Sequence, residues 1–549
     1  MFITPASGLT FDQPNVAPKP FWTIGYNVRF RLQALETVGL FALMRDVDDN
    51  PIQLSVGVGP FRRMFTTPNT TFSQILAGSV DKVVVMEYDP NSTPAQGTRY
   101  LTADITPEDL PPASDILPNP SPGRVQIPPV WWFSDQDDLV VGSRAGVVTE
   151  VPYVWDRNRS NRMVPLADAP LGAVGGGIIN RVLVLLGCTS FTDPDPGRAM
   201  TIRWSDRFNF EEWTPSDINI SGELQLEGGS RIVGGGVTGF GVVAWTDKRM
   251  ALLVENFDID SVFTRKYIDS ARGLLANNAW TEADGQVWWL DEARVLNVYD
   301  GGRPRQIPNP LKYGTIERLG DRQLARVYLE PNPEFSEVII HFPDEDAANP
   351  DTQIVYNYAE NAWTYWRFPR TGWHTRIGSI PNVAVSEDGM VYFHDVDVGL
   401  PELYTSVPDL PPEAGIALPD IFKPVPQDRQ APIDEIEPYE FAVYTNLITT
   451  ESVTEETWRM TRIHADHLPL PSTTGANDKF IVRLLGYGEA QIESPLIAQD
   501  WQSFGQGQNA ADFRVGGKAL RIGLASDGQI TTGFRFSGFS VTNAKDGTR

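Results

Sequence analysis

Apolar residues in this chain recur at a spacing of two. Ile24, Tyr26, Val28 and Phe30 alternate with small or polar residues, as one face of a half-buried strand requires. Residues 82–88 (Lys-Val-Val-Val-Met-Glu-Tyr) are rich in β-branched side chains and predict a buried strand. No long stretch follows the 3.6-residue period of a helix; residues 316–327 have room for one short helical turn or two.

One phrase recurs between residues 181 and 395: Gly, x, Val, x, a large aromatic, x, Asp. It reads Gly241, Val243, Trp245, Asp247, then Gly285, Val287, Trp289, Asp291, then Gly389, Val391, Phe393, Asp395. In the last two copies Asp284-Gly285 and Asp388-Gly389 predict tight turns, with Gly accepting a positive φ. The copies start 44 and 104 residues apart. That is close to one and two steps of a repeat of about 40–50 residues, the length of a four-stranded propeller blade. Three ordinary hairpins of an all-β protein would give the same phrase.

The pattern predicts an all-β chain: an irregular β-propeller with inserted segments and an additional C-terminal β-sandwich-like domain. Residues 1–130 read as an N-terminal β region ending in a Pro-rich excursion over 107–129, where regular helix or central strand is excluded. Residues 131–400 read as the propeller body. There Leu139, Val140 and Val141 predict a strand, with residues 146–151 as its hairpin partner, and residues 356–365 two strands joined by a Glu-Asn turn. Prolines among acidic residues mark 401–438 as a linker or strap. Residues 439–549 resume strand-like text as a C-terminal β domain, although these strands would equally serve to close the main body.

The chain has 549 residues and a formal net charge of −25, which opposes a protein that grips nucleic acid through clustered Lys and Arg. Its one cysteine, Cys188, excludes an intrachain disulfide and sits in an apolar run that predicts a core position. No signal peptide is expected from residues 1–5, and no apolar run reaches the roughly 18–20 residues that span a bilayer. Synthesis in a cytosol is the simplest expectation.

Candidate chemistry is thin. The glycines 228–229 and 234–236 lack the following helix of a phosphate cradle and predict crowded strand ends instead. Gly142-Ser143-Arg144-Ala145-Gly146 has the wrong spacing for a nucleophile elbow. His464-Ala465-Asp466-His467 matches no standard metal spacing, and Asp46-Val47-Asp48-Asp49 and Asp135-Gln136-Asp137-Asp138 lack the Gly and distal Glu of a calcium loop. Asp284 and Asp388 are expected to serve their turns. No catalytic, cofactor-binding or metal residues are therefore assigned, and the chain is not expected to be an enzyme.

A set of phrases in order carries a resemblance. These are Asn27-Val28-Arg29-Phe30-Arg31, Arg203-Trp204-Ser205-Asp206 followed by Phe210-Glu211-Glu212-Trp213-Thr214-Pro215, and Ser230-Arg231-Ile232-Val233 leading to Val243-Ala244-Trp245-Thr246-Asp247. Together with residues 533–541 they resemble the tail nozzle proteins of short-tailed bacteriophages, the tail tubular protein B family. The resemblance implies an irregular propeller with inserted domains in a hexameric tube within the virion tail, assembled in the host cytoplasm. An adaptor ring protein would sit above it and tail fibres or spikes would be further neighbours. Genomic DNA would be retained in the lumen and ejected through it without specific binding. An acidic wall suits that passage, since each phosphate contact would retard transit. The alternative is a carbohydrate-binding or carbohydrate-active propeller, for which Trp131, Trp132, Trp288 and Trp289 are the stacking candidates.

Overall fold

The computed structural model describes residues 2–3, 6–9, 21–31, 33–38, 40–67, 74–88, 99–113, 128–192, 200–258, 261–312, 315–344, 347–375 and 382–398. Beyond these it describes 430–431, 436–437, 441–445, 448–449, 458–469, 480–487, 496–504, 510–517, 519–526 and 534–545. Most of the 107–129 excursion and the 401–438 strap lies outside them. The chain is almost wholly β, the described helix being Ile316–Arg318, Asp321–Leu324 and Pro333–Phe335. It forms two compact units: residues 44–353 with 368–391, and residues 1–43 with 354–367 and 392–549.

The first unit is a propeller. Its sheets are built on antiparallel meanders that each begin with an inner strand, and the first also takes Arg45–Asp46 parallel to Arg99–Asp104, the last Leu40–Leu43 beside Val391–Val398. The inner strands are β1 (Arg63–Thr67), β2 (Trp131–Gln136), β3 (Gly175–Ile179), β4 (Ile232–Thr238), β5 (Trp280–Ala283), β6 (Tyr328–Asn332) and β7 (Gly372–His374). Each touches the next. The Phe65 and Phe133 rings lie 5.8 Å apart, and the Ile178 amide donates to Ser134 Oγ at 3.0 Å. Gly176 and Gly236 form a parallel bridge, and a Cβ on Gly236 would stand 3.0 Å from the Trp280 ring. The Leu329 amide donates to the Asn278 carbonyl at 2.9 Å, and His374 Nδ1 stands 3.7 Å from Glu330 Oε2. The circle closes where Thr371 Oγ1 donates to the Phe61 carbonyl at 2.7 Å and the Phe65 and His374 rings lie 6.1 Å apart.

The second strands explain why each sheet needs neighbours on both sides. Val182–Cys188 and Gly241–Thr246 are buried at every position. A strand covered on both faces reads as a continuous apolar run rather than an alternating one. Two copies of the repeated phrase, at 241 and 285, open the second strands of successive sheets, so their 44-residue spacing is one blade. The copy at 389 follows the second strand of its sheet, Asn382–Val385, and is displaced by one strand. Asp284 and Gly285 both have positive φ, 49° and 68°, the mirror-image turn that suits a hairpin. Asp291 is buried and accepts the Ala293 and Val295 amides at 2.9 Å, closing the turn after its strand.

The triple glycines meet where β3 and β4 come together. A Cβ on Gly175 would lie 2.5 Å from the Gly235 carbonyl oxygen, and one on Gly235 (φ 149°) would lie 2.2 Å from that of Val243. Asn277, just before β5, locks this seam by donating from Nδ2 to the carbonyls of Val174 and Val233 at 2.6 and 2.8 Å.

Residues 146–151 do not pair with Leu139–Arg144; that strand pairs with Tyr153–Trp155 instead. The reason is an ion pair. Glu150 accepts from Arg144 Nε and from the Arg144 amide at 2.7 Å, so the intervening residues loop back. Both side chains are fully buried, and Arg144 also donates to the carbonyls of Val80 and Pro111.

The second unit is a two-sheet sandwich. One sheet places Val28–Arg31, Ala34–Thr37, Phe534–Lys545, Trp458–Pro469 and Ala510–Gly517 side by side. The other runs Ala6–Leu9, Phe21–Tyr26, Ala442–Thr445, Ala519–Ser526, Phe480–Tyr487 and Leu496–Phe504. Trp22 against Phe539 (6.5 Å) and Phe441 against Phe536 (6.4 Å) join the layers. The hairpin of residues 354–367 packs on the first sheet: Trp366 Nε1 and Thr364 Oγ1 both donate to the Val28 carbonyl, and Asn357 Nδ2 donates to that of Phe30.

Two outcomes follow. Gly235→Ala places a Cβ against backbone at a disfavoured φ and is expected to lower unfolding free energy by about 2–4 kcal/mol, read from the urea midpoint. Arg144→Met strands a buried carboxylate and is expected to cost about 3–5 kcal/mol. Burial already lifts the Glu150 carboxyl above its ordinary range, and Arg144 opposes that rise. A raised pKa favours folding in the protonated state, so stability from this group grows as pH falls. The Arg144→Met deficit should therefore narrow between pH 7 and pH 5, and a deficit independent of pH would contradict this account.

Candidate contact surface

The phrase that carries the family resemblance builds one structure. Thr201–Trp204 and Gly222–Gln225 are the third and fourth strands of the β3 sheet, and residues 205–221 loop between them. The loop is tied from inside. Trp204 Nε1 donates to the Ile220 carbonyl at 2.6 Å, and Trp213 Nε1 to that of Phe210 at 2.8 Å. Arg203 Nη2 donates to the Trp213 carbonyl at 3.2 Å. Asp206 receives the Ile220 amide at Oδ1 (2.9 Å), while its own amide donates to the Glu212 carbonyl. The residue types are those needed: two indoles and a guanidinium satisfy carbonyls that no neighbouring strand reaches.

Tied in this way, the loop holds apolar side chains in solvent. Phe208 is 67% exposed and Ile218 94% exposed. Phe208 also has φ 66°, a left-handed conformation that is an outlier for a bulky residue. Its amide donates to the Arg181 carbonyl at 2.9 Å, and the Arg181 guanidinium stands 4.7 Å over its ring. Strain of about 1–3 kcal/mol persists only where the surroundings impose it, and such residues cluster at functional positions.

Strand direction fixes the neighbours of this loop. The inner strands run the same way, so the turn after each inner strand and the loop after each third strand emerge at one end. Asn180-Arg181 and loop 205–221 therefore share that end, as their contacts confirm. In the β2 sheet the equivalent loop is residues 156–163. There Arg157 is buried against Asp135 at 2.9 Å, while Arg162 is exposed and Arg159 half-buried. Burial raises the Asp135 carboxyl, and Arg157 partly counters it.

The opposite end of the ring has a depression of about 10 Å³, lined by Arg62, Val130, Asn277, Asn278, Arg326 and Tyr328 among others. It has room for about one water. Arg62 and Arg326 both donate to Asn349 Oδ1, at 2.6 and 2.7 Å, and Asn349 Nδ2 donates to Glu387.

The other sequence candidates resolve into structural roles. Trp131, Trp132, Trp288 and Trp289 are all buried, so both members of each pair belong to the core. Trp501 is exposed, at 60%. Ser143 donates to Glu150 rather than to a base. Asp388 bonds the Ser386 hydroxyl within its turn, and Asp46 accepts the Asp48 and Asn50 amides at 2.9 Å. Cys188 is buried and its thiol is pushed up to about 12 by desolvation, so it stays protonated. His464 and His467 lie in Trp458–Pro469. No group of three or more metal-ligating side chains occurs among the described residues, and no helix among them is long and apolar enough to cross a membrane. Loop 205–221 was legible as a motif; the strained Phe208 within it carries no signature in sequence.

No family model matches the chain, and no curated protein does. Among solved structures, the computationally designed Ika8 protein is 10% identical with a TM-score of 0.34, covering 62% of this chain and 98% of its own. The WD40 domain of coronin from Toxoplasma gondii is 10% identical with a TM-score of 0.34, covering 68% and 88%. BamB from Moraxella catarrhalis is 11% identical with a TM-score of 0.31, covering 62% and 97%. At such distances the propeller assignment rests on the ring of inner strands itself.

Trp213→Ala removes the buried anchor of the loop and is expected to cost about 3–5 kcal/mol. Trypsin should then cut after Arg207, a site the tied loop protects, with the fragments identified by mass spectrometry. Equal resistance in the variant would mean that the indole does not hold the loop.

Proposed function

We propose that the chain is a structural virion protein, the nozzle of a short phage tail: a homohexameric tube below an adaptor ring, through which genomic DNA is retained and ejected. The observation that carries this reading is the run from Arg203 to Pro215, whose resemblance to the nozzle family falls on the residues that tie loop 205–221. A motif spent on fixing an exposed, strained apolar loop suits a protein that works by contact with other subunits. The net charge of −25 supports passage of DNA without retention.

The proposal includes no catalytic role. Buried tryptophans at 131, 132, 288 and 289 weaken the carbohydrate reading; among the described residues, Trp501 is an exposed tryptophan. Light scattering on the purified chain, with negative-stain images of the same sample, tests the proposal. The expected result is a hexameric ring with a central hole, or a monomer that forms one when mixed with an adaptor ring. A monomer inert beside the adaptor ring, whose tryptophan fluorescence shifts on titration with host polysaccharide, would replace the nozzle with the sugar-binding alternative.

A further inference from the structure

Two loops in equivalent positions of adjacent sheets carry opposite charge. Loop 205–221 holds Asp206, Glu211, Glu212 and Asp217 against one guanidinium, Arg207, which is itself paired with Glu255. Glu211 and Asp217 are exposed, and Ile218 and Phe208 stand beside them in solvent. Loop 156–163 holds Arg159 and Arg162, with Arg157 buried against Asp135, and its one carboxylate, Asp156, is occupied by Asn158 and Asn161. It leads directly into the outer strand Val164–Pro165, where both residues are exposed and Val164 presents an apolar surface. Each loop thus joins a charge of one sign to exposed apolar surface, and both emerge at the same end of the ring.

We propose that this end pairs with the same end of a second copy of the chain. A two-fold axis between the two loops would lay the acidic loop of each copy on the basic loop of its partner. Both contacts are then complementary, which is the self-complementary arrangement that an isologous interface requires. Phe208, Ile218 and Val164 would be the apolar part of the contact and the carboxylates and guanidiniums its charged rim. Alternative partners fit less well. A uniformly acidic or basic surface would attract one loop and repel the other, whereas a second copy satisfies both. The pairing does not depend on the nozzle reading, since a two-fold contact neither requires nor forms a polar ring.

The test is a charge exchange on the full-length chain, followed by sedimentation velocity in low and high salt. One variant carries Arg159→Glu and Arg162→Glu; the other carries Glu211→Lys and Asp217→Lys. These side chains are not core residues, and circular dichroism checks that both variants fold. The wild type is expected to pair in low salt and to loosen in high salt. Each variant alone should pair at least about tenfold more weakly, because both of its contacts become repulsive. Mixing the two variants should restore pairing, since the acidic-acidic chain then meets the basic-basic one. A wild type that never pairs, variants that pair as well as the wild type, or a mixture that fails to recover would each overturn the proposal. A hexameric ring untouched by either variant would remove this pairing and leave the nozzle reading standing. Charge-dependent pairs that never assemble with an adaptor ring would do the reverse.

Discussion

Closure of the ring is the constraint on which the propeller depends. A row of twisted sheets stacked face to face buries every apolar face except the two at its ends. Those end faces are covered only if the last sheet returns to the first. Here Thr371, just before the last inner strand, and His374 on it reach Phe61 and Phe65 at the first. Arg63 and Glu330 add an ion pair at 2.9 Å across the same region. The fully buried second strands, such as Val182–Cys188, show what would face water if the circle opened.

Spacing around that circle is set locally by side-chain volume. Between β3 and β4 the glycines let backbone approach backbone, while between β4 and β5 the Trp280 ring fills the gap. The Arg144–Glu150 pair plays a different part. Burying two charges seldom adds net stability over an apolar substitute, but it dictates where the chain turns. It makes 145–152 a loop and delivers Tyr153–Trp155 as the partner of Leu139–Arg144.

The all-β class and the blade period were legible because both are periodic and local. The 44-residue step between Gly241 and Gly285 is one blade; the glycines 234–236 do mark backbone crowding, but within Ile232–Thr238 rather than at a strand end, and Gly228 and Gly229 face side chains. The supposed partner strand at 146–151 failed for a reason composition hides: its Glu150 answers to a guanidinium six residues back. Pairings across long separations left no mark either; nothing in the alternation of Ile24 and Tyr26 names Tyr444 and Ala442 as their partners. At the contact surface, the anchors Trp204 and Trp213 stood out as a motif. The left-handed Phe208 did not, since a backbone angle depends on what surrounds it.

The sandwich takes strands from both sides of the propeller in sequence: Phe21–Tyr26 pairs with Ala442–Thr445, and Ala34–Thr37 with Phe534–Lys545. A ribosome making this chain therefore releases the first strands of the sandwich long before their partners exist. The ring, whose sheets are consecutive meanders, can form as it emerges. Until residues 442–445 and 534–545 have been made, the early strands wait with open edges. For this chain, the order of manufacture leaves the sandwich to be sealed after the ring.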